Sequence, residues 1–381
     1  MNSSIFSFKI LILLLPGVVV FLLGFQLLKS SRELYVVEDL VACQASQERC
    51  LIGLKYTNPV VQYKFASVVQ RRPQVLALGT SRVMAFRADF FKPSTFFNVG
   101  GAVGNLRGFS TFLNRLPKEA KPELLIVGLD QTFFNKNSDG MYVDNVPYYL
   151  EKSYTWDYLL EEGFKGLRED VFVHGTLPSL QPIFGPVLPR SIGLTAYEKG
   201  SGFINDGSYY YGHIVQNPDR SQLEDYEFKS TLNRIRHQKN LFEGGTEVNP
   251  EALSVLEEFL NLCRSRNIEV VAFLPPYAHA VYEALKDSGH HSYMAKIYPA
   301  LEPLFQKYHY TVHDFSDLRE LGASDREVTD GFHGSEKTYL RLFLKMLETT
   351  PILKKYSADQ NFLKERLVRT TNDFTVFPES P

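Results

Sequence analysis

Five short apolar or β-rich runs, at 75–78, 96–99, 124–128, 269–274 and 311–315, are spaced along this chain with segments of helical period between most of them. The first, Val75–Leu78, has no charge and no polar alternation, which suits a strand buried on both faces of a parallel sheet. Helices are expected at 82–90, 105–116, 250–266, 293–308 and 335–348. The third of these opens on Asn249-Pro250-Glu251, with Asn as cap and Pro in the first turn. Strands alternating with helices predict a doubly wound three-layer α/β/α fold around a parallel sheet.

The alternation stops between about 132 and 248, a stretch too long for a connection. It is rich in aromatics (Tyr148, Tyr149, Tyr154, Trp156, Tyr158 and Tyr209-Tyr210-Tyr211) and broken by Pro178, Pro182, Pro186 and Pro189. Because it follows the third strand, it is expected to form a cap over the carboxyl ends of the sheet. Asn205-Asp206-Gly207-Ser208 within it reads as a turn, with substrate contact as the alternative.

The N-terminus points to a compartment. Nineteen residues from Ile10 to Leu28 carry no charge, with Lys9 before them and Lys29 and Arg32 after, long enough to cross a bilayer. No small-x-small cleavage site follows, so an uncleaved signal anchor is expected rather than a removed signal peptide. Cys43 and Cys50 flank a short polar loop beyond it, a spacing that suits a disulfide in an oxidising compartment. Cys263 falls in a helix with apolar period and reads as a buried thiol. The expected organisation is an anchor at 1–30, an extracytoplasmic stalk at 31–69, a catalytic domain at 70–350 carrying the cap, and a peripheral tail at 351–381. A net charge of −2 and the absence of any nucleic-acid motif exclude nucleic acid as a partner, while 44% hydrophobic content excludes wholesale disorder.

Two segments carry the chemistry. Val75-Leu-Ala-Leu-Gly-Thr-Ser-Arg82 is a strand running into a Gly-x-Ser turn, and Thr329-Asp-Gly-Phe-His-Gly-Ser335 puts Asp330 three residues before His333. A hydroxyl becomes a competent nucleophile when an imidazole takes its proton and a carboxylate holds that imidazole in the right tautomer. Ser81, His333 and Asp330 fit those three roles. Taken singly, the first segment is also an ordinary turn and the second a helix cap beside a surface histidine.

In this order the two segments resemble the SGNH (GDSL-like) hydrolase superfamily, whose fold is the flavodoxin-like three-layer sandwich. Gly79-Thr80-Ser81 matches the nucleophile block, with Thr where Asp is usual. Phe96-Phe97-Asn98-Val99-Gly100-Gly101 matches the block whose backbone N–H helps hold the oxyanion, which makes Gly100 the expected donor. The third block falls at Leu124–Gln131, and there the chain departs from the pattern: Asp130 stands where the resemblance calls for an Asn amide. An ionised carboxylate repels an oxyanion, so Asn105 or Gln131 replaces the donor, or Asp130 organises the site, or activity is reduced. Asn105 also reads as a helix cap.

The resemblance covers about 70–350. A single anchor on an exported domain of this kind is similar to the alginate acetylation factors and the D-alanyl transfer protein of teichoic acids. It implies acyl transfer to, or ester hydrolysis on, a cell-envelope polysaccharide through an acyl-Ser81 intermediate, with a multi-spanning membrane O-acyltransferase as acyl donor. A secreted-side lipase or carbohydrate esterase uses the same residues, and a non-catalytic polymer-binding protein keeps the same fold. His279, after the fourth strand, is a further candidate for substrate contact. His290-His291 reads as a solvent-exposed turn, Gly100–Gly104 lacks a dinucleotide register, and no metal site or cofactor is expected.

Overall fold

The computed structural model describes residues 3–46, 48–138, 144–217 and 219–378, with backbone alone for residues 3–14 and Gln222. Five parallel strands, β2 (Val75–Leu78), β3 (Phe96–Asn98), β4 (Leu124–Gly128), β8 (Glu269–Leu274) and β9 (Thr311–Asp314), lie in the order β3-β2-β4-β8-β9. Helices cover both faces. Side chains alternate accordingly: Val75 and Ala77 enter a core with Phe86, Phe273, Tyr339 and Phe343, whereas Leu76 and Leu78 enter another with Phe109, Phe112 and Phe259. Each such fully buried side chain contributes about 1.5–3 kcal/mol, which is why a run as short as the four residues of β2 holds as a central strand. The strand order reverses between β2 and β4, and that crevice at the carboxyl ends is where sheets of this order bind ligands.

The helices Leu106–Arg115, Pro250–Ser265, Met294–Lys307 and Glu336–Thr349 form within a residue or two of their expected places. Their caps are local: Asn249 Oδ1 accepts from Glu251 N at 3.0 Å, and Ser335 Oγ accepts from Thr338 N at 3.3 Å. The expected helix at 82–90 is absent. Two 3-10 turns, Ser81–Val83 and Ala88–Phe90, stand there instead, joined through an extended Arg87. Asn98 Nδ2 donates to the carbonyls of Val83 and Phe86, at 2.8 and 3.0 Å, so those oxygens are satisfied from β3. Arg87 is drawn inward to Glu336 Oε2 at 2.8 Å.

Residues 31–69 are not a stalk. Their β1 (Leu51–Ile52) joins β5 (Ser191–Ile192), β6 (Gly202–Phe203) and β7 (Tyr209–Tyr210) of the inserted segment in a second sheet, ordered β5-β1-β6-β7. Their helix Val60–Arg71 sends Val61 and Val68 into the main core. Asn205-Asp206-Gly207-Ser208 is the turn between β6 and β7, with Gly207 at φ +78° and Asn205 tied to Cys50 N at 2.7 Å. The tail is equally integral: Leu353, Leu363, Val376 and Phe377 are buried, and Glu336 Oε1 accepts from the Val376 and Phe377 N–H groups.

Cys43 and Cys50 form the expected disulfide, immediately before β1. A loop of this size confers roughly 2–3 kcal/mol by restricting the unfolded chain. Reduction is therefore expected to lower the denaturation midpoint in urea, with Cys43→Ser/Cys50→Ser showing the same loss and no further sensitivity to reductant.

Glu33 is almost wholly buried where the chain leaves β1 and β5 of the second sheet, its Oε1 accepting from the N–H groups of Lys55 and Leu194 at 2.8 and 2.6 Å. Burial pushes its carboxyl up to about 7, against those backbone bonds and Lys55, which pull it down. A raised acid stabilises the fold below its unfolded value near 4.5 and loses that contribution as pH rises through about 7. Glu33→Gln keeps the acceptor without the charge. It is expected to melt above the parent at pH 8 and close to it at pH 4.

The N-terminal helix spans Ser3–Ser30. Its last turns pack on the inserted helix Trp156–Phe172, with Phe21 stacked on Phe164 at 4.9 Å and Phe25 edge-on to Trp156 at 6.3 Å. The expected transmembrane helix finds no support here: among the described residues no helix is long and apolar enough to cross a membrane. Residues 10–14 of the apolar run lie outside those whose side chains are described.

Candidate active site

β2 ends one residue before Gly79, and the chain turns over the ends of β2 and β4 at once. A Cβ on Gly79 would lie 2.8 Å from Val83 Cγ1, and one on Gly128 2.3 Å from the same atom, so both glycines are needed for that turn to sit close. Thr80 opens it, its hydroxyl oxygen accepting from Arg82 N at 3.2 Å and its O–H donating to Asp130 Oδ2 at 2.7 Å. Ser81 follows at the crevice.

The segment 328–334 arrives from beyond β9 and folds on itself, with Thr329 N donating to His333 O at 2.9 Å. Within it Asp330 Oδ1 accepts from the N–H groups of Phe332 and His333, at 2.9 and 2.8 Å. Asp330 Oδ2 lies 2.7 Å from His333 Nδ1, and His333 Nε2 lies 2.8 Å from Ser81 Oγ. Burial pushes the Asp330 carboxyl up, but the His333 charge, the side-chain bond and the two backbone bonds outweigh it and hold the carboxyl below its ordinary range. An ionised carboxylate only accepts, so the ring hydrogen belongs on Nδ1 and Nε2 is left to accept from the Ser81 hydroxyl. A proton can therefore pass from Ser81 to His333 without rearrangement.

Arg82, with no role assigned from sequence, holds these parts together. Its guanidinium is buried and donates to Phe332 O at 3.1 Å, Gln131 Oε1 at 2.8 Å, and the carbonyls of Pro275 and Pro276 at 2.9 and 3.0 Å, while lying over the Tyr277 ring at 4.4 Å. One side chain thus fixes the nucleophile turn, the end of β4, the end of β8 and the histidine loop. A charged residue directly after an apolar strand and a Gly-x-Ser turn is the signal that could have singled it out.

The expected oxyanion donors are placed differently from one another. The Gly100 N–H donates to Asn98 Oδ1 at 2.8 Å, and Gly100 O accepts from the buried Lys64 ammonium, so this loop is clamped from both sides. Asn105 Oδ1 accepts from Gly108 N at 3.1 Å and caps the helix Leu106–Arg115. Gln131 Nε2 donates to Pro275 O and Ser316 Oγ, at 2.8 and 2.9 Å, and its oxygen serves Arg82. Asp130 is buried beside Ser81's turn. Its Oδ1 has no hydrogen-bond partner among the described residues, and the nearest cation, Arg82 Nη1, is 4.0 Å away. Burial raises the Asp130 carboxyl above its ordinary value, with Arg82, the Thr80 bond and His333 pulling the other way.

Two cavities meet at Ser81. One, of about 190 Å³, runs past Asp130 and is closed by Phe133, Leu241, Phe242 and Phe332. The other, of about 340 Å³, runs past His333 and is lined by Tyr209, Tyr211, Lys199, His213 and Glu224. Leu241 and Phe242, and all five residues just named in the second cavity, come from the 132–248 insertion, which covers the nucleophile from both sides. His279 lines neither of these two cavities. Its Nδ1 lies 3.0 Å from Asp317 Oδ1, and together with Glu283 these residues bring three potential ligand atoms within 4.8 Å of one another. His291 is not solvent-exposed; its ring is wedged between Ser288 Oγ and Phe242 O, at 2.8 and 2.9 Å. Among known proteins, no family model matches this chain and no curated protein does either.

Proposed function

We propose that this chain is a membrane-anchored serine acyltransferase or acyl esterase of the SGNH type that modifies a cell-envelope polysaccharide. The observation that carries it is the in-line relay Asp330–His333–Ser81, with contacts of 2.7 and 2.8 Å, at the crevice of a doubly wound sheet. Ser81 Oγ attacks the acyl carbonyl carbon while His333 Nε2 takes the hydroxyl proton. The C–O bond to the donor's leaving oxygen then breaks, and that oxygen receives the proton from His333. An acceptor hydroxyl, or water, gives its proton to His333 as it attacks acyl-Ser81; the acyl C–Oγ bond then breaks, and Ser81 Oγ takes the proton back from His333 Nε2. The Ser81 N–H is the backbone donor for the oxyanion, since that of Gly100 is occupied.

The small cavity, closed by phenylalanines, suits a short acyl group. The larger one offers tyrosine faces with Lys199 and Glu224, which suits a hydroxyl-rich acceptor. The uncharged run 10–28, in which Leu15, Val20 and Phe21 are exposed, supports an anchor that leaves the remainder outside the cytoplasm, within reach of a multi-spanning O-acyltransferase as donor. The occupied Gly100 N–H and the Asp130 carboxyl favour a second reading, a polymer-binding protein without turnover.

Turnover of p-nitrophenyl acetate and p-nitrophenyl octanoate, with and without soluble polysaccharide, separates these. Acetate is expected to be preferred, with label passing to the glycan. Release to water alone would leave an esterase, and no turnover of either ester would support the binding protein.

A further inference from the structure

The segment from Val171 to Pro189 contains no acidic residue, lysine or arginine over nineteen positions, yet it lies on the surface. Phe172 is 82% exposed, Leu177 81%, Phe184 74% and Val187 76%. Between this segment and the N-terminal helix runs an open apolar groove of about 600 Å³, with Val20, Phe21 and Leu23 on one wall and Leu167, Val171 and Leu177 on the other. Soluble monomers rarely expose contiguous apolar surface on this scale unless something covers it.

The order of contacts along the two helices identifies what covers it. Leu28 lies against Gly163 and Phe25 against Trp156 at one end, Gly24 meets Phe164 and Leu167, and Val20 and Gly17 face the groove with Phe172 and Leu177 at the other. At the first end stands an aromatic cluster with one cation: Trp156 and Tyr148 are exposed, and Lys152 Nζ lies 4.6 Å over Tyr158 and 5.5 Å over Tyr154. At the second end the groove is lined by phenylalanines and aliphatic residues with one charged side chain, the exposed Arg168. Amphipathic aromatics above and a mainly hydrocarbon surface below, with one arginine long enough to reach back toward the headgroups, is the layering of a bilayer boundary. Eight residues of helix separate Phe25 from Gly17, so the groove reaches about 12 Å past the aromatic level at 1.5 Å per residue. That is close to the 5–10 Å to which interfacial segments sink. Non-helical backbone is costly deeper than this, because its N–H groups lose water. Pro178, Pro182, Pro186 and Pro189 carry no N–H, which lowers that cost.

We propose that the end of the helix Trp156–Phe172 and the segment 171–189 are immersed in the bilayer interface beside the N-terminal helix, with lipid acyl chains filling the groove between them. The proposal rests on the N-terminal helix being a membrane anchor. It adds that the anchor is no loose tether: two elements in the membrane fix the orientation of the domain, and with it the Ser81 crevice, relative to the lipid surface.

The test uses the full chain reconstituted in phosphatidylcholine vesicles, with a nitroxide on Leu177→Cys, Phe184→Cys or, as an aqueous control, Val368→Cys, itself 84% exposed. The native cysteines do not interfere, since Cys43 and Cys50 are paired and Cys263 is buried. Labels at 177 and 184 are expected to collide with oxygen severalfold more, relative to a water-soluble nickel chelate, than the label at 368. If the protein floats with the vesicles but all three sites report equal collision ratios, the anchor stands and the immersion is overturned. Shielding of 177 and 184 from both reagents, or dipolar broadening between labels, overturns it in favour of a protein partner or a second copy. Failure to float removes the anchor and this inference together.

Discussion

Ser81→Ala is expected to lose all fluorophosphonate labelling and to lower acyl turnover by about 10⁴–10⁶-fold, without a comparable change in stability. The hydroxyl bonds His333 Nε2 at 2.8 Å and is only partly buried, so its removal leaves a histidine that solvent can still reach. His333→Ala is expected to cost about as much, and the double variant no more than either alone, because the pair acts as a unit. Asp330→Asn tests the tautomer directly. An amide that donates to Nδ1 forces the ring hydrogen onto Nε2 and leaves the serine without a base, which costs about 10⁴-fold. The measurement is mapping of the labelled serine in the full chain, beside turnover of a soluble ester. Ser201 is the rival to watch, since its Oγ lies 2.9 Å from His213 Nδ1. That hydroxyl also donates to Lys199 O at 3.1 Å, so its proton is directed away from the imidazole. Labelling at Ser201, or undiminished turnover in Ser81→Ala, would sink the assignment of Ser81.

The sheet was legible because its strands are buried on both faces: a run such as Leu124–Gly128 leaves no polar alternation to mistake for anything else. The relay was legible for a different reason. Asp330 and His333 are three residues apart and meet through a turn, while Ser81 needs only a strand end to be presented. What stayed hidden depends on contacts between distant segments. Nothing local shows that Asn98 will take the carbonyls of Val83 and Phe86 and so replace a helix by two tight turns, or that its oxygen will occupy the Gly100 N–H. Lys64 looks like a surface residue of a polar helix, yet it is fully buried under Gly100, and burial lowers its ammonium well below the ordinary range. β1 is two residues long and exists only because the insertion supplies both of its neighbours.

Asp130→Asn is expected to raise the melting temperature at pH 7 while leaving turnover unchanged or lower. A buried carboxyl whose value in the folded chain is raised stabilises the fold below its unfolded value and loses that contribution as pH climbs through the folded one. Above that window the wild-type chain carries an ionised oxygen, Oδ1, with no hydrogen-bond partner among the described residues and with Arg82 no nearer than 4.0 Å. Asparagine accepts the Thr80 hydroxyl equally well and removes the charge, so the variant gains at pH 7 and the difference closes toward pH 4. Turnover weighs two opposed terms. The carboxylate attracts the imidazolium that His333 becomes on taking the Ser81 proton, and it repels the oxyanion formed beside it. If the hole were simply short of a donor, the new amide would restore about 10²–10³-fold. No such gain is expected, because Thr80 and Arg82 hold Asp130 as part of the framework that aligns the Ser81 turn with β4. Thermal melts and ester turnover of the same preparations, from pH 4 to pH 8, settle the balance. A gain in turnover of the size just given would identify Asp130 as an impaired donor and would move the weight to the polymer-binding reading.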